Sequence, residues 1–220
     1  SVIADHYKNV ANQEGDNSTS TMADRFIREQ ETRAIISFVE ETKNLNDSSN
    51  GQTVNVMDVG CGNGYTLNIL SELFPSFNFL GVEKTKELRE IAIERFKSTP
   101  NVTIIEGDIR DKNFSNEYIA DILICQRVLI NLLDSKDQSK ALLNIINNVS
   151  SLEKNGKKGY LLFLESFSSA LENLNTAREE FNLDKIRPAH HNLYLKDSFF
   201  QVDEVTPFVP STHQYPSNFL

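Results

Sequence analysis

Short apolar runs alternate with longer amphipathic stretches through most of this 220-residue chain. The apolar runs predict strands at 53–60, 78–83, 102–108, 120–129, 159–166 and 199–208. Apolar residues at helical spacing predict the intervening helices at 65–74, 85–98, 135–156 and 169–183. Strands separated by helices favour right-handed crossovers. The pattern therefore predicts an α/β fold with a doubly wound, mainly parallel sheet and helices on both faces.

The segment before the first strand follows a different pattern. Residues 20–45 predict one amphipathic helix that is capped at Ser20 or Thr21. The residues before this helix are polar, and we expect them to form an arm that closes over a site together with the helix. We therefore divide the chain into an arm and lid helix, 1–45, and a sheet domain, 46–220.

Composition narrows the classes of function. A net charge of −9 and a pI near 5.0 argue against a nucleic-acid partner, because phosphate backbones need clustered Lys and Arg. Two cysteines cannot close a zinc site, so we expect no metal, and they do not indicate a disulfide-rich secreted domain. There is no signal-peptide pattern and no apolar run near the roughly 20 residues of a membrane span, so cytoplasm is the default expectation.

The most specific stretch is "VMDVGCGNGY", where a predicted strand leads into a predicted helix. We expect Gly60 to permit a sharp turn, and Gly62 and Gly64 to keep side chains out of a ligand's path. Cys61 lies inside this loop, as a ligand contact or as a buried structural thiol. Asp58 lies in the apolar strand, and buried carboxylates need partners. Asp58 is expected to orient the loop amides or to bind a cationic group of a ligand. The alternative is that it only anchors the loop structurally.

Two further strands end in acidic residues. Glu83 follows Gly64 by nineteen residues, and a carboxylate there can accept both hydroxyls of a ribose. Its alternative role is a solvated charge at the start of a helix. Asp108 can accept a hydrogen bond from an exocyclic amine, while the Ile109 amide donates to a ring nitrogen. Alternatively, Asp108 caps the following turn. The glycine spacing is G-x-G-x-G, with Thr66 where a nicotinamide site has its third glycine.

Together these residues resemble the class I S-adenosylmethionine-dependent methyltransferases. "VMDVGCGNG" matches their first motif, Glu83 their acidic second-strand residue and "GDI" their adenine-contacting segment. The resemblance covers about 20–208 and implies a Rossmann-like sheet, methyl transfer, S-adenosylmethionine as cofactor and S-adenosylhomocysteine as product. In that family the glycine loop passes close to the methionine part and the ribose. The family's sheet ends in an antiparallel hairpin, of which only the strand at 199–208 is found here.

Acceptor-binding residues are expected after the fourth and fifth strands and from the helical lid. Gln126 lies on the cofactor side of the fourth strand end, and Arg127 either binds an anionic acceptor or pairs with Glu165. Glu165 itself is either a base at the pocket edge or a capping or ion-pair residue.

The segment "RPAHHNLYL" carries His190, His191 and Tyr194. Histidine titrates near neutral pH, so one of the pair is our preferred base for a hydroxyl acceptor. Tyr194 or Arg127 would then orient that acceptor. A polar surface loop is the alternative.

These residues predict a methyltransferase that acts on a small-molecule or glycan-like polar acceptor, most simply at oxygen. The Asn/Asp-Pro-Pro-aromatic motif of many base-amine methyltransferases is absent after the fourth strand. The stretch from Glu165 to Leu195 also looks like methyltransferases from bacterial surface-polysaccharide clusters. An RNA or protein methyltransferase of the same fold and a non-catalytic cofactor-binding subunit remain as alternatives. The sequence does not indicate an oligomeric state.

Overall fold

The computed structural model describes residues 24–46, 53–150 and 158–201. The strands of these residues are β1 Asn55–Val59, β2 Asn78–Glu83, β3 Val102–Glu106, β4 Ile122–Gln126 and β5 Tyr160–Leu164. The α-helices are α1 Arg25–Asn46, α2 Tyr65–Leu73, α3 Lys86–Arg95, α4 Ser135–Asn147 and α5 Ser168–Glu180. A 3₁₀ turn, Leu129–Asn131, follows β4.

The five strands form one parallel sheet with the order β3-β2-β1-β4-β5. The chain winds outward from β1 to β3 and then crosses back to β4, so the direction of winding reverses between β1 and β4. Asp58 lies at this boundary, opposite Gly81 of β2 and Ile124 of β4. Ligands bind at the carboxyl ends of strands beside such a reversal. The predicted Rossmann-like, doubly wound sheet is confirmed.

Apolar side chains are buried on both faces of the sheet. One cluster joins α1, α2 and α3 to the sheet, and its members include Ile35, Val39, Leu67, Leu70, Phe96 and Ile124. The other joins α4 and later segments to the opposite face, and it includes Met57, Leu123, Leu129, Ile145 and Leu195. Full burial of one such side chain contributes roughly 1.5–3 kcal/mol. These two cores fix the strand ends, and with them the positions of the loops that follow.

Asp24 caps the described start of helix α1. The amide of Ile27 donates to Asp24 Oδ1 at 3.1 Å, and the amide of Arg28 donates to the Asp24 carbonyl. The predicted caps, Ser20 or Thr21, lie outside the described residues. The proposed arm lies outside the described residues.

Two predicted ends also need correction. Helix α4 ends at Asn147 and not near residue 156, because Val149 pairs with Ala120 in an isolated bridge and draws the chain back to the sheet. The predicted strand at 199–208 begins with a turn at 199–200, and its residues after 201 lie outside the described part. In the described residues no helix is long and apolar enough to cross a membrane.

Helix α5 is attached mainly by polar contacts, and none of its residues is buried. Its first amide, from Ser168, donates to the Leu195 carbonyl at 2.9 Å, and Asn175 exchanges two hydrogen bonds with the backbone of Ile186. The segment after α5 therefore returns along the helix to the carboxyl end of the sheet.

Candidate cofactor and acceptor site

The glycine loop joins β1 to α2 through three left-handed residues. The φ angles of Gly60, Gly62 and Gly64 are +71°, +58° and +79°. The amides of Gly60 and Cys61 donate to the Val82 carbonyl at 2.7 and 3.2 Å, which holds the loop over the end of β2. Side chains with a Cβ are disfavoured at such φ values. The backbone geometry alone therefore requires glycine at these positions.

Neighbouring side chains add a second requirement at two of these glycines. A Cβ on Gly60 would lie 2.5 Å from Val128 Cγ2, and a Cβ on Gly64 would lie 2.6 Å from Phe96 Cε2. We expected Gly64 to clear a ligand's path, but the space beside it is filled by the Phe96 ring. Gly64 thus permits close packing of the loop against the end of α3, and its clearance of a ligand's path stays a prediction.

Cys61 fills a gap inside the protein. Its side chain is buried, and a Cβ on Gly81 would lie 2.8 Å from its Sγ, so β2 needs a glycine opposite it. Burial raises the pKa of the Cys61 thiol well above its usual value. The side chain is therefore a neutral packing group, and a cofactor contact at this position would come from the backbone.

Glu83 ties the glycine loop to the start of α3. Its Oε2 accepts from the Gly62 amide at 2.9 Å, and its Oε1 accepts from the Thr85 amide at 2.6 Å. Burial raises the pKa of this carboxyl, while these two amides and the Thr85 hydroxyl oppose the shift. Glu83 is only 6% exposed, so it is not the solvated charge of the alternative interpretation.

Asp58 is buried beside a cation that the lid helix supplies. Burial raises the pKa of Asp58 to about 7, the Arg28 guanidinium opposes this shift, and Glu83 adds to it. The guanidinium carbon of Arg28 lies 5.2 Å from the centre of the Tyr65 ring, at the start of α2. Helix α1 thus places positive charge next to the glycine loop, a role that we did not predict for it.

Asp108 lies after β3 within a group of charged side chains. It accepts from Lys84 Nζ at 2.7 Å, from Arg110 Nη2 at 2.6 Å and from the Arg110 amide at 3.1 Å. Burial disfavours its ionised form, but the hydrogen bonds from Arg110 and Lys84 outweigh burial and lower the pKa of Asp108. Ile109 is buried, and its carbonyl accepts from Asn144 at 2.9 Å. Asp108 is therefore an ionised acceptor in a fixed loop.

Gln126 and Arg127 both bind one carboxylate of the lid helix. Glu31 accepts from Gln126 Nε2 at 2.6 Å and from Arg127 Nη2 and Nε at 2.6 and 3.0 Å. Thr66 also donates to Gln126 at 3.4 Å. Arg127 has a φ of +55°, a conformation that costs energy outside glycine. The expected ion pair between Arg127 and Glu165 was therefore wrong, because Glu31 is the partner that Arg127 hydrogen-bonds.

Glu165 caps the 3₁₀ turn after β4. Its Oε1 accepts from the amides of Val128 and Leu129, both at 2.9 Å, and its Oε2 accepts from the Ile130 amide at 3.2 Å. Burial raises the pKa of Glu165 to about 7 although these amides favour the charged form. A carboxylate held inward by three amides has the capping role that was one of the two alternatives, and its role as a base stays a prediction.

The histidine segment lies beside the turn that follows β4. The Leu193 amide donates to the Ile130 carbonyl at 2.7 Å, and Gln138 of α4 donates to the carbonyls of Leu129 and Leu193 at 3.0 and 2.9 Å. The rings of His190 and His191 meet edge to face with centroids 5.1 Å apart.

Within this segment His190 is exposed and His191 is partly buried. The structure thus brings the predicted acceptor segment to the carboxyl edge of the sheet.

Sequence reasoning predicted that the lid helix contributes to this edge, but it named none of the α1 residues that do so. Four buried residues recur at helical spacing along α1: Arg28, Thr32, Ile35 and Val39. The two polar residues therefore extend the core-facing stripe that the two apolar residues form. The position of Arg28 and Thr32 on the core-facing stripe was the sequence signal that could have identified them as site residues. Within the described residues no group of three or more His, Cys, Asp or Glu side chains could hold a metal ion.

Comparison with known proteins decides the family. Residues 50–209 match the family model described as a methyltransferase domain. The chain belongs to this methyltransferase family. It is 24% identical over 200 residues to the malonyl-[acyl-carrier protein] O-methyltransferase of Bacillus cereus, covering 86% of the chain and 66% of that protein. It is 27% identical over 136 residues to the enzyme of the same name from Halalkalibacterium halodurans, covering 59% of the chain and 49% of that protein.

Solved methyltransferases share the fold at low identity. The N-methyltransferase NodS from Bradyrhizobium japonicum, in complex with S-adenosylhomocysteine, is 19% identical with a TM-score of 0.55, over 78% of this chain and 77% of NodS. Magnesium protoporphyrin IX methyltransferase from Synechocystis, also with S-adenosylhomocysteine bound, is 15% identical with a TM-score of 0.55, over 90% and 80% of the two chains. The curated relatives are longer than this chain, which spans 66% and 49% of the two named above.

Proposed function

We propose that this chain is an S-adenosylmethionine-dependent methyltransferase for a small, uncharged polar acceptor such as a saccharide hydroxyl. One observation carries the proposal. The glycine loop, Glu83 and Asp108 follow β1, β2 and β3, which are adjacent in the sheet, so all three lie along one carboxyl edge. Membership of the methyltransferase family, and S-adenosylhomocysteine in two proteins of the same fold, support this cofactor.

The edge offers a distinct partner to each part of the cofactor. The loop at Gly62 would pass the methionine part and the ribose, where Gly leaves the backbone open to close approach. Glu83 would accept from the ribose hydroxyls, and Asp108 from the adenine amine, with the Ile109 amide at a ring nitrogen. Bound S-adenosylmethionine supplies a methyl group that is already activated by its sulfonium charge. The protein's own task is then to orient the acceptor and remove its proton.

Charge and contacts support a neutral acceptor. Arg127 is neutralised by Glu31 through hydrogen bonds at 2.6 and 3.0 Å, so it is not set up to bind an anionic group. The net charge of −9 also opposes RNA as an acceptor. Oxygen is supported by the histidine pair, since a neutral imidazole can take a hydroxyl proton at pH 7. Two curated relatives are themselves named O-methyltransferases.

In the proposed reaction, His190 or His191 would take the hydroxyl proton of the acceptor as its oxygen displaces S-adenosylhomocysteine from the methyl group. The products would be a methyl ether, S-adenosylhomocysteine and a protonated imidazole. Arg127 and Tyr194 would hold the acceptor in line. The imidazole then releases its proton to water.

Two measurements test this proposal in sequence. Calorimetry with S-adenosylhomocysteine should show binding at a single site, and absence of binding would refute the cofactor assignment. Transfer of a radiolabelled methyl group is then measured with pools of saccharides, small hydroxy compounds, RNA and protein. Labelling of the saccharide or hydroxy pool supports the proposal, and labelling of RNA or protein refutes the acceptor class. Binding without transfer to any pool would indicate a non-catalytic subunit.

A further inference from the structure

The hydrogen bonds around Asp108 set a requirement on adenine recognition. A carboxylate has about four lone-pair positions for hydrogen bonds. At Asp108, Oδ1 accepts from the Arg110 amide at 3.1 Å and from Arg110 Nε at 3.0 Å. Oδ2 accepts from Lys84 Nζ at 2.7 Å and from Arg110 Nη2 at 2.6 Å, and Arg110 Nε, which it shares with Oδ1, lies 3.2 Å from it. All four positions are used, so an adenine amine can bind here only if one donor leaves.

Exposure and anchoring indicate which donor leaves. The Lys84 side chain is 59% exposed, and its ammonium can move into water. Arg110 is held more firmly, because its Nη1 also donates to Asp137 of α4 at 3.1 Å and its backbone amide forms part of the same contact. A flexible ammonium on a long stem also gives up a contact more readily than a planar, bidentate guanidinium.

We propose that Lys84 competes with the adenine amine for Asp108 and leaves this position when cofactor binds, while Arg110 stays and orients Asp108. Lys84 is then a competitor for the cofactor, and Arg110 is a positioning residue. This proposal rests on the proposed cofactor. It predicts opposite effects for the loss of two neighbouring cations, which general charge attraction would not produce.

The charged surroundings of Asp108 are consistent with this exchange. Lys84 reaches it from the end of β2 and Arg110 from its own loop, while Asp137 of α4 lies on the far side of Arg110. Arg89 is held elsewhere, by Glu106 at 2.8 Å. When Lys84 leaves, Arg110 still faces both oxygens of Asp108. The carboxylate therefore stays charged and fixed as the amine arrives.

The test compares S-adenosylhomocysteine with S-inosylhomocysteine, which carries a carbonyl oxygen in place of the amine. Lys84→Met should tighten S-adenosylhomocysteine binding about two- to five-fold, which is the strength of an exposed ion pair. It should not tighten S-inosylhomocysteine, because a carbonyl cannot replace the lost donor. Lys86→Met is the matched control, since Lys86 is also exposed and pairs with Glu90 at 3.7 Å. It removes the same charge two residues away.

Arg110→Ala should weaken S-adenosylhomocysteine binding and reduce the preference for adenine over hypoxanthine by roughly ten-fold or more. A purely structural role would weaken both ligands equally. Arg110→Lys keeps the positive charge and replaces the alanine variant in this test if that variant does not fold. It should retain part of the preference for adenine over hypoxanthine. The proposal is overturned if Lys84→Met weakens S-adenosylhomocysteine binding, or if its effect equals that of Lys86→Met. Failure of the unmodified protein to bind S-adenosylhomocysteine would instead refute the proposed function.

Discussion

Replacing Glu83 with Ala should separate the cofactor role of this residue from its structural role. The carboxylate accepts from the amides of Gly62 and Thr85, at 2.9 and 2.6 Å. Ribose hydroxyls would add donors to the same two oxygens. A hydrogen bond to a charged group contributes roughly 1.5–3 kcal/mol. We therefore expect the Kd for S-adenosylhomocysteine to rise about 10- to 150-fold.

The same substitution leaves the Gly62 amide without its acceptor. A buried donor that loses its partner costs about 1–3 kcal/mol, so the free energy of unfolding should fall by that order. Thermal unfolding and circular dichroism must accompany the calorimetry to show that the variant is folded. Glu83→Gln keeps one acceptor oxygen at similar volume and should lose less of both properties. The measurements belong near pH 8, because burial raises the pKa of Glu83.

Glu106 provides the matched control. It is the register partner of Glu83 in the neighbouring strand, and its side chain is 72% exposed. Glu106→Ala removes the same charge from the same end of the sheet and should leave the Kd within about two-fold, as expected for an exposed ion pair. A folded Glu83→Ala protein with an unchanged Kd would exclude Glu83 from the ribose site. If Glu106→Ala lost as much affinity for S-adenosylhomocysteine as Glu83→Ala, the change in Kd would reflect general electrostatics and not a contact of Glu83 with the ribose.

Further predictions concern the loop, the buried acids and the histidines. Gly62→Val should abolish S-adenosylhomocysteine binding in a protein that is still folded by circular dichroism, although the left-handed φ of Gly62 makes the substitution cost about 1–3 kcal/mol of stability. Joint loss of fold and binding would indicate a purely structural glycine. Burial raises the pKa of Asp58 and Glu165 to about 7 from ordinary values of 3.8 and 4.5. Their stabilising protons are therefore lost as pH rises through 7, and stability should fall by about 2 kcal/mol per group between pH 5 and 8. Urea unfolding at several pH values measures this, and a flat profile would contradict it. Alanine at His190 or at His191 should leave cofactor binding unchanged, and one of the two should lose about 10²- to 10⁴-fold in turnover. Full activity of both variants on a known acceptor would exclude a histidine base.

The sheet and the cofactor edge were predictable because their signals are local. Each strand is a short apolar run, and each residue proposed for the cofactor follows such a run directly. Once the strands are parallel, their carboxyl ends meet at one edge without further information. The family and the fold are confirmed. The cofactor contacts of Gly62, Glu83 and Asp108 remain predictions with supporting geometry.

The errors fall where contacts join distant parts of the chain. Arg127 pairs with Glu31, which is 96 residues away in the sequence and lies on a helix that we treated only as a lid. Glu165 was unavailable to Arg127 because the 3₁₀ turn after β4 presents three amides that need an acceptor. Neither the turn nor the packing angle of α1 follows from hydrophobic periodicity. Only the buried position of Arg28 on the core-facing stripe of α1 pointed to this role.

The acidic residues after β2 and β3 differ in what a ligand must displace. At Glu83 the internal donors are the backbone amides of Gly62 and Thr85, which leave the carboxylate able to accept further hydrogen bonds. At Asp108 all four positions are used, and the weakest donor is the charged ammonium of Lys84. Ribose binding would thus mostly add hydrogen bonds, whereas amine binding would exchange one charged donor for a neutral one. It follows that the ribose contact contributes more to cofactor affinity than the adenine amine, which contributes mainly selectivity for the base.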